Sequence, residues 1–299
     1  MTGPVVLMFL DGVGIGTDDP AVNPFMSARM PALTGLVGGI PTLDRPRLAG
    51  LRAVAFPLDA CLGVPGMPQS GTGQTTLLTG ENAAERFGRH FGPWTPVALQ
   101  PLVEERSVLR RGLDAGLRVA FANAYPKGWP NERRRLAAPP LAARAAGLLD
   151  RHEEALARGD AVASEILNTG WRVHLGFADL PEVSAADAGR VLARIGAAHD
   201  LTFFAHYATD IAGHRGGMDG AVSALERVDA FLGGYLEAAP ADAVLLVASD
   251  HGNIEDVGQG HTLNPSLGLV VGPDAERRAG ELGSIADVTG ALLRWAAAG

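Results

Sequence analysis

A single cysteine, Cys61, stands in a chain of 299 residues. That scarcity excludes an internal disulfide framework and predicts a reducing compartment. No histidine presents itself as a partner for Cys61 in its Pro- and Gly-rich surroundings, so it reads as a small buried hydrophobe rather than a nucleophile. Lysine is equally scarce: Lys127 is alone, and arginine carries nearly all the cationic chemistry. No apolar run approaches the roughly 18 residues that suggest a membrane span. The first such run, Val5–Leu10, has no basic flank and reads as a core strand rather than a secretory leader. Basic excess is also missing. A net charge of −8 argues against nucleic acid or a membrane surface as partner. Neither a solenoid-period repeat nor a low-complexity tail is visible. Together these absences predict a cytoplasmic globular protein.

What is present is a core. At 47% hydrophobic, the chain can fill one large domain or one domain with an insert. Strand patterns fall at Val5–Leu10, Leu51–Phe56, Leu117–Ala122, Leu201–His206, Val244–Ala248 and Leu267–Val271. Most are continuous apolar runs, the pattern of strands covered on both faces. Helical patterns lie between them, clearest at Ala186–Ala198, Met218–Ala238 and Ser284–Ala297. The alternation predicts a three-layer α/β/α sandwich around a mainly parallel, doubly wound sheet, with ligands beyond the carboxyl ends of its strands. Residues 91–178 break the pattern with Pro-, Trp- and Arg-rich text and an Ala-rich helical stretch. They are expected to form a small inserted cap that selects substrate, over a core of residues 1–90 and 179–299.

Metal-ligating residue types recur at strand ends. Asp11 follows the first strand and precedes a flexible Gly12-Val13-Gly14-Ile15-Gly16 turn. Asp210 and His214, one helical turn apart, follow the Leu201–His206 strand. Asp250 and His251 follow Val244–Ala248, and His261 lies ten residues beyond. An isolated Asp at such a place is usually a cap or turn former. Convergence at the ends of three separate strands is better explained by metal, and carboxylate with imidazole suits Zn²⁺ or Mn²⁺ alike.

The nucleophile candidate is Ser70, in the small-residue stretch Pro68-Gln69-Ser70-Gly71-Thr72-Gly73 before an apolar helix start. A helix N-terminus favours an anion. A serine hydroxyl becomes a competent nucleophile when metal coordination lowers its pKa. Thr72 is the rival in the same loop. The Gly12-x-Gly14-x-Gly16 stretch lacks the last glycine and following helix of a dinucleotide fingerprint, and Gly66–Gly73 lacks the lysine of a phosphate loop.

These residues resemble the alkaline phosphatase superfamily, most closely the branch of cofactor-independent phosphoglycerate mutase and phosphopentomutase. The matching text is Asp11-Gly12, Ser70-x-x-Gly73, Asp210-x-x-Gly213-His214, Asp250-His251-Gly252-Asn253 and His261-x-x-Asn264-Pro265, in the family's order. The resemblance implies two divalent ions, one held by Asp210, His214 and His261, the other by Asp11, Asp250, His251 and Ser70. Ser70 to Gly80 also resembles the sulfatase signature, whose nucleophile stands first, which supports Ser70 over Thr72. Two departures stand out. Gln74 replaces the histidine that follows the glycine of the mutase motif, and the insert is small beside the mutases' second domain.

The resulting expectation is phosphoryl transfer through a phosphoserine, with hydrolysis of a small phosphate ester ahead of a mutase reaction. A non-catalytic metal- or phosphate-binding relative is the reading from another class. Thr72, Asn253, Arg86, Arg89, Lys127 and Arg133 are expected to contact substrate, the arginines as forks for phosphate or carboxylate. A homodimer could close the site.

Overall fold

The structure, a computed structural model, describes residues 3–130 and 135–298. The strands are β1 (Val5–Leu10), β2 (Leu48–Ala49), β3 (Ala53–Leu58), β4 (Val119–Phe121), β5 (Leu201–His206), β6 (Val244–Ala248) and β7 (Ser266–Val271). They form one sheet in the order β2-β3-β7-β6-β1-β5-β4. Every residue of β1, β5 and β6 is buried, as their unbroken apolar runs require.

β1 packs alternate side chains into two cores. Val5, Leu7 and Phe9 join one hydrophobic cluster, and Val6, Met8 and Leu10 join the other. The first cluster includes residues of helices Ser70–Thr79, Ala138–Ala145 and Asp287–Ala297; the second includes residues of Pro31–Val37, Ala185–Ala197 and Gly217–Ala238. Helices therefore cover both faces of the sheet. The three-layer α/β/α sandwich is the observed architecture.

The direction of the strands is mixed at one edge. β1 runs parallel to β5 and β6, and β4 runs parallel to β5. β7 pairs antiparallel with both β6 and β3, so β3 shares the sense of β1. The two-residue β2 returns antiparallel on β3. One consequence places the site: the chain leaves β1, β3, β5 and β6 at the same edge of the sheet and enters β7 there.

Residues 91–178 do not lie wholly above the sheet. Helices Gln100–Arg106 and Val108–Asp114 lead into β4, which is hydrogen-bonded into the sheet beside β5. Asn123 prolongs that ladder with its side chain, donating to Ala205 O at 2.7 Å and accepting from Ala205 N at 2.8 Å. Beyond it, Ala124, Leu156, Ala163 and Trp171 share a separate small core. This later stretch is the part that stands over the strand ends. Among the described residues, no helix is long and apolar enough to cross a membrane.

Candidate metal centre

Four segments bring the polar residues together at the carboxyl edge. Asp11 follows β1, and Gly12 turns the chain with φ +66°. A Cβ at Gly12 would sit 2.6 Å from Asp210 Oδ1, so this position needs glycine both for its conformation and for space. The loop after β3 delivers Ser70 to the first turn of helix Ser70–Thr79. Helix Ala208–Arg215, after β5, carries Asp210 and His214 on successive turns. The loop from β6 to β7 supplies Asp250, His251 and His261.

The ligand atoms converge. Asp11, Asp250 and His251 form one compact group, and Asp210, His251 and His261 form another. His251 Nε2 lies 2.9 Å from Ser70 Oγ, 3.3 Å from Asp11 Oδ1 and 3.7 Å from Asp250 Oδ2. His261 Nε2 lies 3.5 Å from Asp210 Oδ1, and His214 Nε2 lies at the same distance from that oxygen. The second compact group thus contains His251 where His214 was expected. His214 stays beside it, its ring 4.8 Å from that of His261, because it sits toward the exposed end of its short helix.

The surroundings orient the imidazoles. His251 Nδ1 faces Gly252 O at 3.2 Å and His261 Nδ1 faces Pro68 O at 2.9 Å. Each carbonyl accepts a hydrogen bond from a proton held on Nδ1 and turns Nε2 toward the carboxylates. Asp11 Oδ1 and Asp250 Oδ2 are buried without a hydrogen-bond partner, an arrangement suited to a cation.

Charge tells the same story. Burial, and then the charge of Asp11, holds the Asp250 carboxyl well above its ordinary range; burial also raises Asp11. Burial alone would raise Asp210 too, but His261, His251 and Asn253 outweigh it and bring it to about 2. Burial disfavours the His251 imidazolium, yet Asp250 and Asp11 overcome this and push its pKa up to about 10. Asp250, Asp11 and Asp210 together crowd negative charge around His251. A divalent ion fits that charge and the mixed oxygen and nitrogen donors.

Five residues expected to contact substrate have other partners in the structure. Thr72 is fully buried, and its hydroxyl accepts from Phe91 N at 3.1 Å, fastening the helix start to a neighbouring loop. Asn253 is fully buried behind the metal centre and donates to Asp210 Oδ1 at 2.6 Å, which makes it a holder of that carboxylate. Arg86 pairs with Glu81 at 2.7 Å on the surface. Arg89 lies over the rings of Phe87 and Phe91. Lys127 pairs with Glu154 at 2.6 Å, also exposed. None of these five lines the cavity that opens onto Ser70, because each has a nearer partner. Arg133 lies outside the described residues.

Two residues with roles here escaped the sequence reading. Gln74 donates from Nε2 to Asp11 Oδ2 at 2.9 Å and lines the cavity. Its only signal was its place in the motif, where the resembling mutases have histidine. Glu255 is buried and ties its own β6–β7 loop to the loop after β1: it accepts from Gly14 N at 2.9 Å, Asn253 N at 2.8 Å and Asn264 Nδ2 at 3.2 Å, and also from the Thr262 hydroxyl. Gly14 is 241 positions away in sequence, so local pattern gives no hint of it.

The cavity beyond Ser70 has a volume of about 1110 Å³. Asp11, Ser70, Gln74 and Asp210 form its polar floor, and Trp94, Tyr125, Trp129, Trp171 and Tyr207 contribute to its walls.

Residues 178–297 match the family model of the metalloenzyme superfamily, a span that includes Asp210, His214, Asp250, His251 and His261. The chain is 35% identical over 125 residues to 2,3-bisphosphoglycerate-independent phosphoglycerate mutase of Cereibacter sphaeroides, covering 38% of this chain and 24% of that protein. The corresponding mutase of Thiobacillus denitrificans is 36% identical over 125 residues, with the same coverage. The chain thus spans about a quarter of the length of these curated relatives. A solved structure from Pyrococcus horikoshii shares the fold with a TM-score of 0.61 at 14% identity, covering 100% of this chain and 98% of that one. Alkaline phosphatase from the Antarctic bacterium TAB5 does so with a TM-score of 0.53 at 12% identity, covering 99% of each. The C-terminal part of the chain is thus similar to the metalloenzyme superfamily and to the phosphoglycerate mutases, and the whole chain shares its fold with alkaline phosphatase.

Proposed function

We propose that this chain catalyses metal-dependent phosphoryl transfer through a phosphoserine on Ser70, with hydrolysis of a small phosphate ester as the net reaction. The observation that carries this reading is the placement of Ser70 Oγ 2.9 Å from His251 Nε2, beside two buried carboxylate oxygens, Asp11 Oδ1 and Asp250 Oδ2, that lack hydrogen-bond partners. Asp11, Asp250, His251 and Ser70 would hold one ion, and Asp210, His261 and His214 a second. Zn²⁺ and Mn²⁺ both suit these donors. Bound there, the ions would neutralise phosphate charge and lower the pKa of the serine hydroxyl.

The chain's own residues set the geometry. Gln74 anchors one oxygen of Asp11 and leaves the other turned toward His251. Asn253 holds Asp210 through Oδ1, the oxygen that also lies 3.5 Å from His261 Nε2. Ser70 Oγ forms a bond to phosphorus as the ester P–O bond breaks; the serine proton goes to solvent, and the leaving alcohol takes one from solvent. Water then cleaves the phosphoserine, giving phosphate and restoring the hydroxyl. The wide cavity supports water as the acceptor.

The mutase relatives support a second reading, in which the phosphoryl group returns to the same organic molecule. Phosphorus NMR of the protein with Mn²⁺ or Zn²⁺ and a panel of phosphate esters separates the two. Inorganic phosphate is the expected product. Migration of the ester signal without phosphate release would establish the mutase, and metal binding without turnover of any ester would leave a binding protein.

A further inference from the structure

Aromatic residues are few in this chain, with 4 tryptophans and 3 tyrosines in 299 residues. Yet Trp94, Trp129, Trp171, Tyr125 and Tyr207 all line the one cavity that opens onto Ser70. Trp171 also belongs to a small core, and Tyr125, Trp129 and Tyr207 pack against a larger one, yet all of them share the lining of this cavity with Trp94. Trp129 stacks on Tyr125 at 4.2 Å between ring centroids, which braces a flat wall. Trp94, at the mouth, is 42% exposed, and the cavity-lining Leu175 and Ile211 are exposed as well. An exposed apolar rim around a polar floor is the form of a site that covers an apolar group.

Charge narrows the choice. Among the described residues that line the cavity, Arg135 is the one arginine or lysine, against Asp11, Asp210 and Glu165. A phosphorylated sugar acid brings a second anion or several hydroxyls, and needs cationic forks or dense hydrogen bonding far from the metal centre. Beside Arg135, Ser164, Glu165 and His174, the walls offer mainly rings and aliphatic groups. We infer that this site takes phosphate esters whose alcohol carries a flat aromatic group, the ring lying among Trp94, Trp129 and Trp171 while the phosphate rests at Ser70. The inference builds on the phosphoryl-transfer reading and adds the class of alcohol. In the reaction, the P–O bond to that alcohol breaks as the bond to Ser70 Oγ forms, and the alcohol departs protonated.

The test compares benzyl, hexyl and ethyl phosphate, whose leaving alkoxides are of similar basicity, on the Zn²⁺-supplied protein. Burial of the ring predicts kcat/KM for benzyl phosphate about tenfold or more above ethyl phosphate, and above hexyl phosphate. Trp129→Ala should reduce the benzyl preference. Equal rates for benzyl and ethyl phosphate would overturn the inference while leaving phosphoryl transfer standing; a hexyl preference would replace the ring with an alkyl chain and also overturn it. If no ester turns over, the phosphoryl-transfer reading fails. Quenching of tryptophan fluorescence by benzylphosphonate against ethylphosphonate then decides the cavity separately. Tighter benzylphosphonate binding supports the aromatic site, and equal affinity overturns it.

Discussion

At the scale of single residues, the site depends on side chains that hold other side chains. Gln74 fixes Asp11 through one 2.9 Å hydrogen bond inside a buried setting. Gln74→Ala should lower metal affinity by about 10- to 100-fold, as loss of an orienting partner generally does. Competition with a chelator measures it, and unchanged affinity would remove Gln74 from the account. Gly12 gives a steric counterpart. Gly12→Ala places a Cβ against Asp210 in a backbone conformation that side chains rarely adopt. Both metal content and thermal stability should fall together. Arg86 and Lys127 look free in a string of letters, but in the structure they pair with Glu81 and Glu154 on the surface.

At the scale of elements, the strands carrying ligands were the most legible part of the sequence. β1, β5 and β6 begin and end where their apolar runs do, and Asp11, Asp210, Asp250 and His251 follow from that. β2 was invisible because two residues carry no period. The sense of β7 was also hidden, since a buried apolar run does not encode direction. The reason lies in residues 249–265, which contain no helix to cross the sheet, so the chain turns back beside β6. That loop instead holds the candidate metal ligands Asp250, His251 and His261, braced by Glu255. Removing this carboxylate leaves the donors of Gly14, Asn253, Thr262 and Asn264 without their acceptor. Glu255→Ala should therefore cost about 3 kcal/mol or more in chemical unfolding, since buried unmet groups each carry a desolvation penalty. A loss under about 0.5 kcal/mol, the range of an ordinary surface substitution, would contradict this role.

At the scale of the whole molecule, stability should weaken in mild acid for a reason separate from metal release. His206 is fully buried at the end of β5, with Nδ1 facing Ser164 O at 2.7 Å and Nε2 buried without a partner. Burial holds its pKa down at about 4. The unfolded imidazole titrates near its ordinary value of 6.5, so acid favours the unfolded chain. This contribution is present in full above pH of about 6.5 and is lost as pH falls toward about 4, amounting to about 3 kcal/mol. Unfolding curves of the metal-free protein across that window should show the loss, and His206→Gln should flatten it. An unchanged slope in the variant would assign acid sensitivity to other groups. The whole fold was legible because its layers follow from burial of strands. The cavity was not, because its walls join residues from Trp94 to Tyr207 that share no local pattern.

The most direct test of the central claim is mass spectrometry of protein quenched in acid during turnover of a phosphate ester. The account predicts one phosphoryl group on the peptide containing Ser70, at Ser70 itself, and none in Ser70→Ala, which should also lose turnover. A phosphoryl group on Thr72, or full turnover by Ser70→Ala, would contradict it.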